Sequence, residues 1–153
     1  MEKAISRLLK YGTLVSTYAL IGSVLLQIFA RFFLSNTPPW TEEASRLFFI
    51  YATAFGAGLA FKSHYYVHLD VFYNKLSTSV QKGIDVLIPV LVLALFALMS
   101  IYAIGFVRLG YFEFSPSMKM RMSIAFLSMF IMGASISYYA AKDLLKALKR
   151  QAI

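Results

Sequence analysis

VLIPVLVLALFALMSIYAIGFV, residues 86–107, runs for 22 positions without an Asp, Glu, Lys or Arg. An α-helix rises 1.5 Å per residue, so about 20 residues of this kind cross a hydrocarbon core about 30 Å thick. Outward from it lie three further charge-free runs: Tyr11 to Ala30 with 20 residues, Leu47 to Phe61 with 15, and Met122 to Ala141 with 20. The shortest reaches spanning length if its helix begins near Trp40 to Glu43, which leaves Glu42, Glu43 and Arg46 at the water boundary. The four runs predict an all-α integral membrane protein, one domain of four transmembrane helices over approximately 11–34, 41–62, 84–107 and 122–145. Composition points the same way: 59% of the 153 residues are hydrophobic and 14% charged, against about a quarter charged in a soluble domain.

A formal net charge of +8 would suggest nucleic acid on a soluble protein. Here it reads as an orientation signal, with no nucleic acid implied. Ten of the 15 basic residues lie in the N-terminal segment (Lys3, Arg7, Lys10), the middle connection (Lys62, Lys75, Lys82) and the tail (Lys142, Lys146, Lys149, Arg150). Arg31, Arg46, Arg108, Lys119 and Arg121 occupy the other two connections. Basic residues accumulate on the cytoplasmic side, so both termini are expected there. The first run, preceded by basic residues, has the look of a signal peptide. It exceeds the usual ~7–15-residue apolar core, and Arg31-Phe32-Phe33 follows where a small-residue cleavage site would stand. It is therefore expected to stay as the first helix.

The connections differ in character. Pro38-Pro39 cannot continue a helix and forces a turn. In the middle connection, Tyr65, Leu69, Phe72 and Leu76 fall at helical spacing, with His64, His68 and Lys75 on another face. That pattern predicts an amphipathic helix over approximately 64–78 lying in the membrane interface, and Tyr65, Tyr66 and Tyr73 suit headgroup depth. A plain turn with scattered aromatics is the alternative. Arg108 to Arg121 reads as an ordered outer loop, with Gly110, Ser115 and Pro116 as turn residues.

Several chemistries are excluded or disfavoured. No Cys is present, which removes disulfides, thiol catalysis, iron–sulfur clusters and Cys-based zinc sites. No cofactor and no enzymatic activity are expected. His64 and His68 have the i, i+4 spacing of a metal or haem site, but interfacial polar residues are the plainer reading of a pair with Asp70 as the only acidic neighbour. A secondary transporter places ionisable groups and broken helices along its pathway. The interior polar residues of these spans are mild, Gln27, Thr53, Ser100, Ser135 and Ser137 among them, and Pro89 is the single hint of a kink. The chain is not expected to transport alone. An accessory subunit of a transporter fits best; a self-contained homo-oligomeric exporter or channel, and a membrane redox subunit, are the competing classes. Ala52, Gly56 and Ala60, and again Gly133, Ser137 and Ala141, form small-residue stripes that let helices approach closely in lipid.

The stretch RFFLSNTPPWTEEASRLFFIYATAFGAGLAFKSHYYVHLD, Arg31 to Asp70, resembles the small membrane subunit of TRAP transporters, the DctQ family. The family pattern is an Arg ending the first helix, a Pro-containing turn, then Trp, a Glu pair and a basic residue opening the second helix. Arg31, Pro39, Trp40, Glu43 and Arg46 occupy those places, Gly56 matches a Gly midway along the second helix, and Lys62 and Asp70 bracket a His-containing element. Tyr66 stands where the family usually has its His, so no role is carried over to it or to His64 and His68. Downstream, Ser115-Pro116 and Gly133 agree with the family. The resemblance implies a tripartite importer in the bacterial inner membrane: a periplasmic binding protein captures an organic acid of the sialic acid or C4-dicarboxylate type, and a large membrane subunit moves it with a sodium gradient. The small subunit would be a scaffold on the large one and a docking surface for the binding protein, with no cofactor of its own.

Physical roles follow. Trp40 suits an anchor at the outer interface. An Arg31–Glu43 pair across the Pro turn would fix the register of the first two helices, and Glu43 and Arg46, three apart, can also meet on one face. Glu42, Arg108, Glu113, Lys119 and Arg121 are candidates for contact with the binding protein. Lys62, Lys75 and Lys82 would sit against anionic lipid, at about 1 kcal/mol each near the surface.

Overall fold

The computed structural model describes residues 2–34, 38–63 and 77–151. It consists of four helices: α1 (Glu2–Phe33), α2 (Trp40–Lys62), α3 (Thr78–Leu109) and α4 (Met122–Gln151). Each is long and apolar enough to cross a bilayer. The sequence places α2 within a residue of its observed start and α4 at its observed start, whereas α1 and α3 begin nine and six residues earlier than expected. The extra turns are rich in polar residues, EKAISRLLK and TSVQKG: at about 1.5 Å per residue, α1 and α3, with 32 residues each, are longer than the hydrocarbon core is thick. Residues 64–76 of the proposed interfacial helix over 64–78, His64, His68, Asp70 and Lys75 among them, lie outside the described residues.

Local sequence explains the helix ends. The Thr41 backbone N–H and hydroxyl both donate to the Pro38 carbonyl, at 3.2 and 2.8 Å, so the Pro turn is tied directly to the first turn of α2. Glu42 and Glu43 fall in that first turn, and Arg31, Lys62 and Arg108 in the last turns of α1, α2 and α3, the signs that complement the helix dipole.

Packing runs α1 on α2, α2 on α4, and α4 on α3, so α1 and α3 lie at the two edges. Ala103 is the one buried residue of α3 among those described. Chain direction alternates, which puts the N-terminus of α1, the end of α2 and the end of α4 at one end, called here the terminal end. The Pro turn and the α3–α4 loop share the other, the loop end. At the terminal end the Lys62 ammonium donates to Ser6 Oγ at 2.7 Å, and Lys142 pairs with Glu2.

The seams are set by small residues, at positions partly different from the expected stripes. On α2 the small buried residues are Ala44 near its start and Ala54 and Gly58 further along, while Ala52, Gly56 and Ala60 are only half-buried. A Cβ on Gly58 would overlap Ser135 Oγ, lie 2.8 Å from Ser135 Cβ and 3.3 Å from Leu9 Cδ1, so three helices close on that position. On α4, Gly133 has the close approach expected of it: a Cβ there would overlap Ser100 Oγ and lie 3.1 Å from the Phe96 carbonyl oxygen of α3. Tyr51 adds a hydrogen bond between α2 and α4, its hydroxyl donating to the Ile124 carbonyl at 2.6 Å.

Candidate functional site at the loop end

Glu42 and Glu43 are neighbours in sequence, yet one helical step of about 100° sends them to different surroundings. Glu42 accepts from Arg46 Nη2 at 2.6 Å, an i, i+4 pair whose side chains are 62% and 77% exposed. Glu43 turns toward the α3–α4 loop. Its Oε2 accepts from the Ser115 hydroxyl and from the Met118 backbone N–H at 2.8 Å. Its Oε1 accepts from the Ser117 backbone N–H at 2.9 Å. Ser115 Oγ, having donated its proton, also accepts from the Met118 N–H at 3.2 Å, which is shared with Glu43 Oε2, so the hydroxyl both donates and accepts. One carboxylate thus holds three donors of a loop more than 70 residues away, by charge-assisted bonds, the stronger kind.

The expected Arg31–Glu43 pair is not formed among the described residues. Arg31 lines a crevice of about 480 Å³ with Gln27, Ile28, Pro38, Pro39, Thr41 and Glu42, on the Glu42 side of the helix. Nor does Glu43 take Arg46, which pairs with Glu42. Glu43 is instead held by three loop donors.

The loop is itself ordered by backbone bonds: Ser115 N–H to the Met120 carbonyl at 2.8 Å, Lys119 N–H to Ser115 at 3.1 Å, Met122 N–H to Glu113 at 2.9 Å and Ser123 N–H to Gly110 at 2.9 Å. Phe114 and Arg121 form an isolated antiparallel bridge, and Lys119 takes a left-handed φ of 52° to close the turn. Gly110 is required by proximity, since a Cβ would stand 2.5 Å from Phe126 Cδ2 and 2.7 Å from Ser123 N.

The other candidate residues fall as follows. Trp40 opens α2 and is 44% exposed. Arg108, Glu113 and Lys119 are exposed on or beside the loop, whereas Arg121 is half-buried with its guanidinium 3.6 Å over the Tyr111 ring, a cation–π contact that restrains it. Phe112 and Phe114 are 81% and 60% exposed on the same loop. Gly56 has room, since a Cβ added there would meet only Thr13 Cγ2, at 3.7 Å, so the tight position is Gly58, two residues on. Lys62 and Lys82 lie at the terminal end of α2 and α3; Asp70 and Lys75 lie outside the described residues. Among the described residues, no cluster of His, Asp and Glu is arranged to hold a metal ion. Sequence reasoning reads Ser115 as a turn residue and leaves the backbone N–H groups of Ser117 and Met118 unassigned. The one signal for them is the co-occurrence of Glu43 and Ser115-Pro116 in the family pattern.

Comparison with known proteins agrees with this architecture. The family described as "Tripartite ATP-independent periplasmic transporters, DctQ component" matches residues 20–150. A Haemophilus influenzae protein named putative TRAP transporter small permease protein is 22% identical over 149 residues, covering 97% of this chain and 90% of that protein. The Vibrio cholerae sialic acid TRAP transporter small permease protein SiaQ is 31% identical over 111 residues, covering 72% of this chain and 60% of that protein.

Proposed function

Because the chain belongs to the DctQ component family of tripartite ATP-independent periplasmic transporters, a multi-pass membrane component and not an enzyme, we propose that it is the scaffold subunit of a sodium-coupled organic-acid importer in the bacterial inner membrane. In this reading both termini are cytoplasmic, α1–α4 pack against the large membrane subunit, and the loop end faces the periplasm. The sodium and substrate pathway belongs to the large subunit, in keeping with four spans whose apolar runs hold no Asp, Glu, Lys or Arg. The substrate is an acid of the sialic acid or C4-dicarboxylate class, the former favoured by the likeness to a sialic acid small permease protein.

The observation that carries the reading is the loop pinned on Glu43. A loop used only to connect two helices needs no such fixation, whereas a docking surface gains from being rigid before its partner arrives, since less ordering is left to do on binding. Exposed Phe112 and Phe114 with Glu113 and Lys119 supply the mixed aromatic and charged character of a transient interface. Proteoliposomes holding both membrane subunits, given a sodium gradient and loaded binding protein, test this. Uptake should require both subunits, and F112A/K119E should raise the binding-protein concentration needed for half-maximal uptake while leaving subunit assembly intact. Flux from this chain alone would sink the scaffold reading and favour a self-contained exporter or channel.

A further inference from the structure

Six of the seven methionines of this chain line one groove. Met99 comes from α3, Met118 and Met120 from the loop, and Met122, Met129 and Met132 from α4. The groove, about 660 Å³, follows the seam between α2 and α4 from Glu43 and Arg46 down to Thr53 and Ala54. At about 1.5 Å per residue, the distance from Glu43 to Ala54 is roughly 16 Å, half of a 30 Å hydrocarbon core. It is therefore one leaflet deep and begins at the interface.

Its mainly apolar walls favour an apolar occupant. Thr53 Oγ1 donates to the Phe49 carbonyl at 2.9 Å and Ser128 Oγ to the Ala125 carbonyl at 2.7 Å, so both hydroxyl protons are spent on their own helices. Glu43 and Ser115 are engaged with each other. A partner's spanning helix is disfavoured too, because the loop, tied to Glu43, crosses the seam at its mouth, and a helix continuing past Glu43 would run into it. An occupant that ends at the interface meets no such obstruction. At the mouth Arg46 is 77% exposed and gives one Nη2 bond to Glu42. A guanidinium has five N–H donors, so donors are left for a phosphate, the anion whose geometry Arg suits. Methionine, unbranched and soft, adapts to a chain that has no fixed shape.

We propose that this groove is a phospholipid site: one acyl chain of a lipid in the loop-end leaflet lies along the methionines, with its phosphodiester on Arg46. The lipid would fill the seam beneath the loop and keep α2 and α4 at their spacing. The site is independent of whether the loop docks a binding protein.

The test is native mass spectrometry of the full chain in mild detergent, titrated with phosphatidylglycerol and with a diacylglycerol of the same chains. The wild type should bind one phosphatidylglycerol, with diacylglycerol weaker. T53W and M129W, both at exposed wall positions, should lose about tenfold or more in affinity for either lipid. R46Q should lose affinity for phosphatidylglycerol only. Methionine oxidation provides a second readout that does not depend on any variant: added phosphatidylglycerol should protect Met99, Met129 and Met132 in delipidated protein. Equal retention by wild type and both tryptophan variants would mark the lipid as annular and overturn the proposal. So would tryptophan variants that lose co-purification with the large subunit while lipid binding is unchanged, since a partner segment would then own the groove.

Discussion

Gly56 and Gly58 lie two residues apart on α2, and alanine at each tests how the bundle is held. Both substitutions gain the same intrinsic helix preference, about 0.8–1.0 kcal/mol, so their difference isolates packing. At Gly56 the new methyl finds Thr13 Cγ2 at 3.7 Å, an ordinary contact, and G56A should be neutral to slightly stabilising. At Gly58 it would overlap Ser135 Oγ and lie 2.8 Å from Ser135 Cβ. Rotating the Ser135 hydroxyl cannot relieve this, because Cβ is fixed to the α4 backbone, so α4 or α2 must move. Overpacking of this kind costs about 1–3 kcal/mol, and lipid gives no hydrophobic drive to recover it, since helices associate there mainly through packing. G58A should be less stable than G56A by about 1–3 kcal/mol, roughly 5- to 150-fold in the unfolding constant. Equilibrium unfolding in mixed micelles with increasing dodecyl sulfate, followed by far-ultraviolet circular dichroism and the fluorescence of Trp40, measures it. The double variant G58A/S135G removes the opposing Cβ and should recover most of the loss. If G58A matched G56A, or if S135G brought no recovery, the three-helix closure at Gly58 would be refuted.

Other consequences are equally direct. E43A removes the acceptor of three loop donors, so hydrogen exchange at the Ser117 and Met118 amides should quicken while that of mid-α4 is unchanged; unaltered exchange would mean the loop is ordered without Glu43. Y51F deletes one interhelical hydrogen bond and should cost about 0.6 kcal/mol, and no more than about 1.7, the range such bonds span in membranes, by the same unfolding assay. Because the chain lacks Cys, single cysteines report sidedness cleanly. S117C should react with a membrane-impermeant maleimide in spheroplasts, and K149C only after permeabilisation, with the reverse pattern inverting the proposed orientation.

The spans were legible because spanning depends on a sum over neighbours in sequence: Val86 to Val107 is readable without knowing what it touches. The same holds for the Pro38-Pro39 turn and for Gly133, whose small size serves whichever helix arrives. What could not be read was which face of α2 is used. Ala52-Gly56-Ala60 and Ala54-Gly58 both place small residues four apart, and only the position of Ser135 selects the second. Likewise Glu43 has Arg46 within its own helix and Arg31 just across the turn, and local spacing favours both over a loop more than 70 residues away.

Sequence by itself determined that this chain is four membrane-spanning helices and that the family is that of TRAP small permease subunits. Tertiary structure decided the order α1, α2, α4, α3, the assignment of Glu43 to the loop and of Glu42 to Arg46, and the gathering of six methionines from α3, the loop and α4 into one groove. The division has a physical cause. Partition into a bilayer is additive along a helix, whereas the partner of a carboxylate or a glycine is whatever the packing of other helices brings within about 3 Å of it.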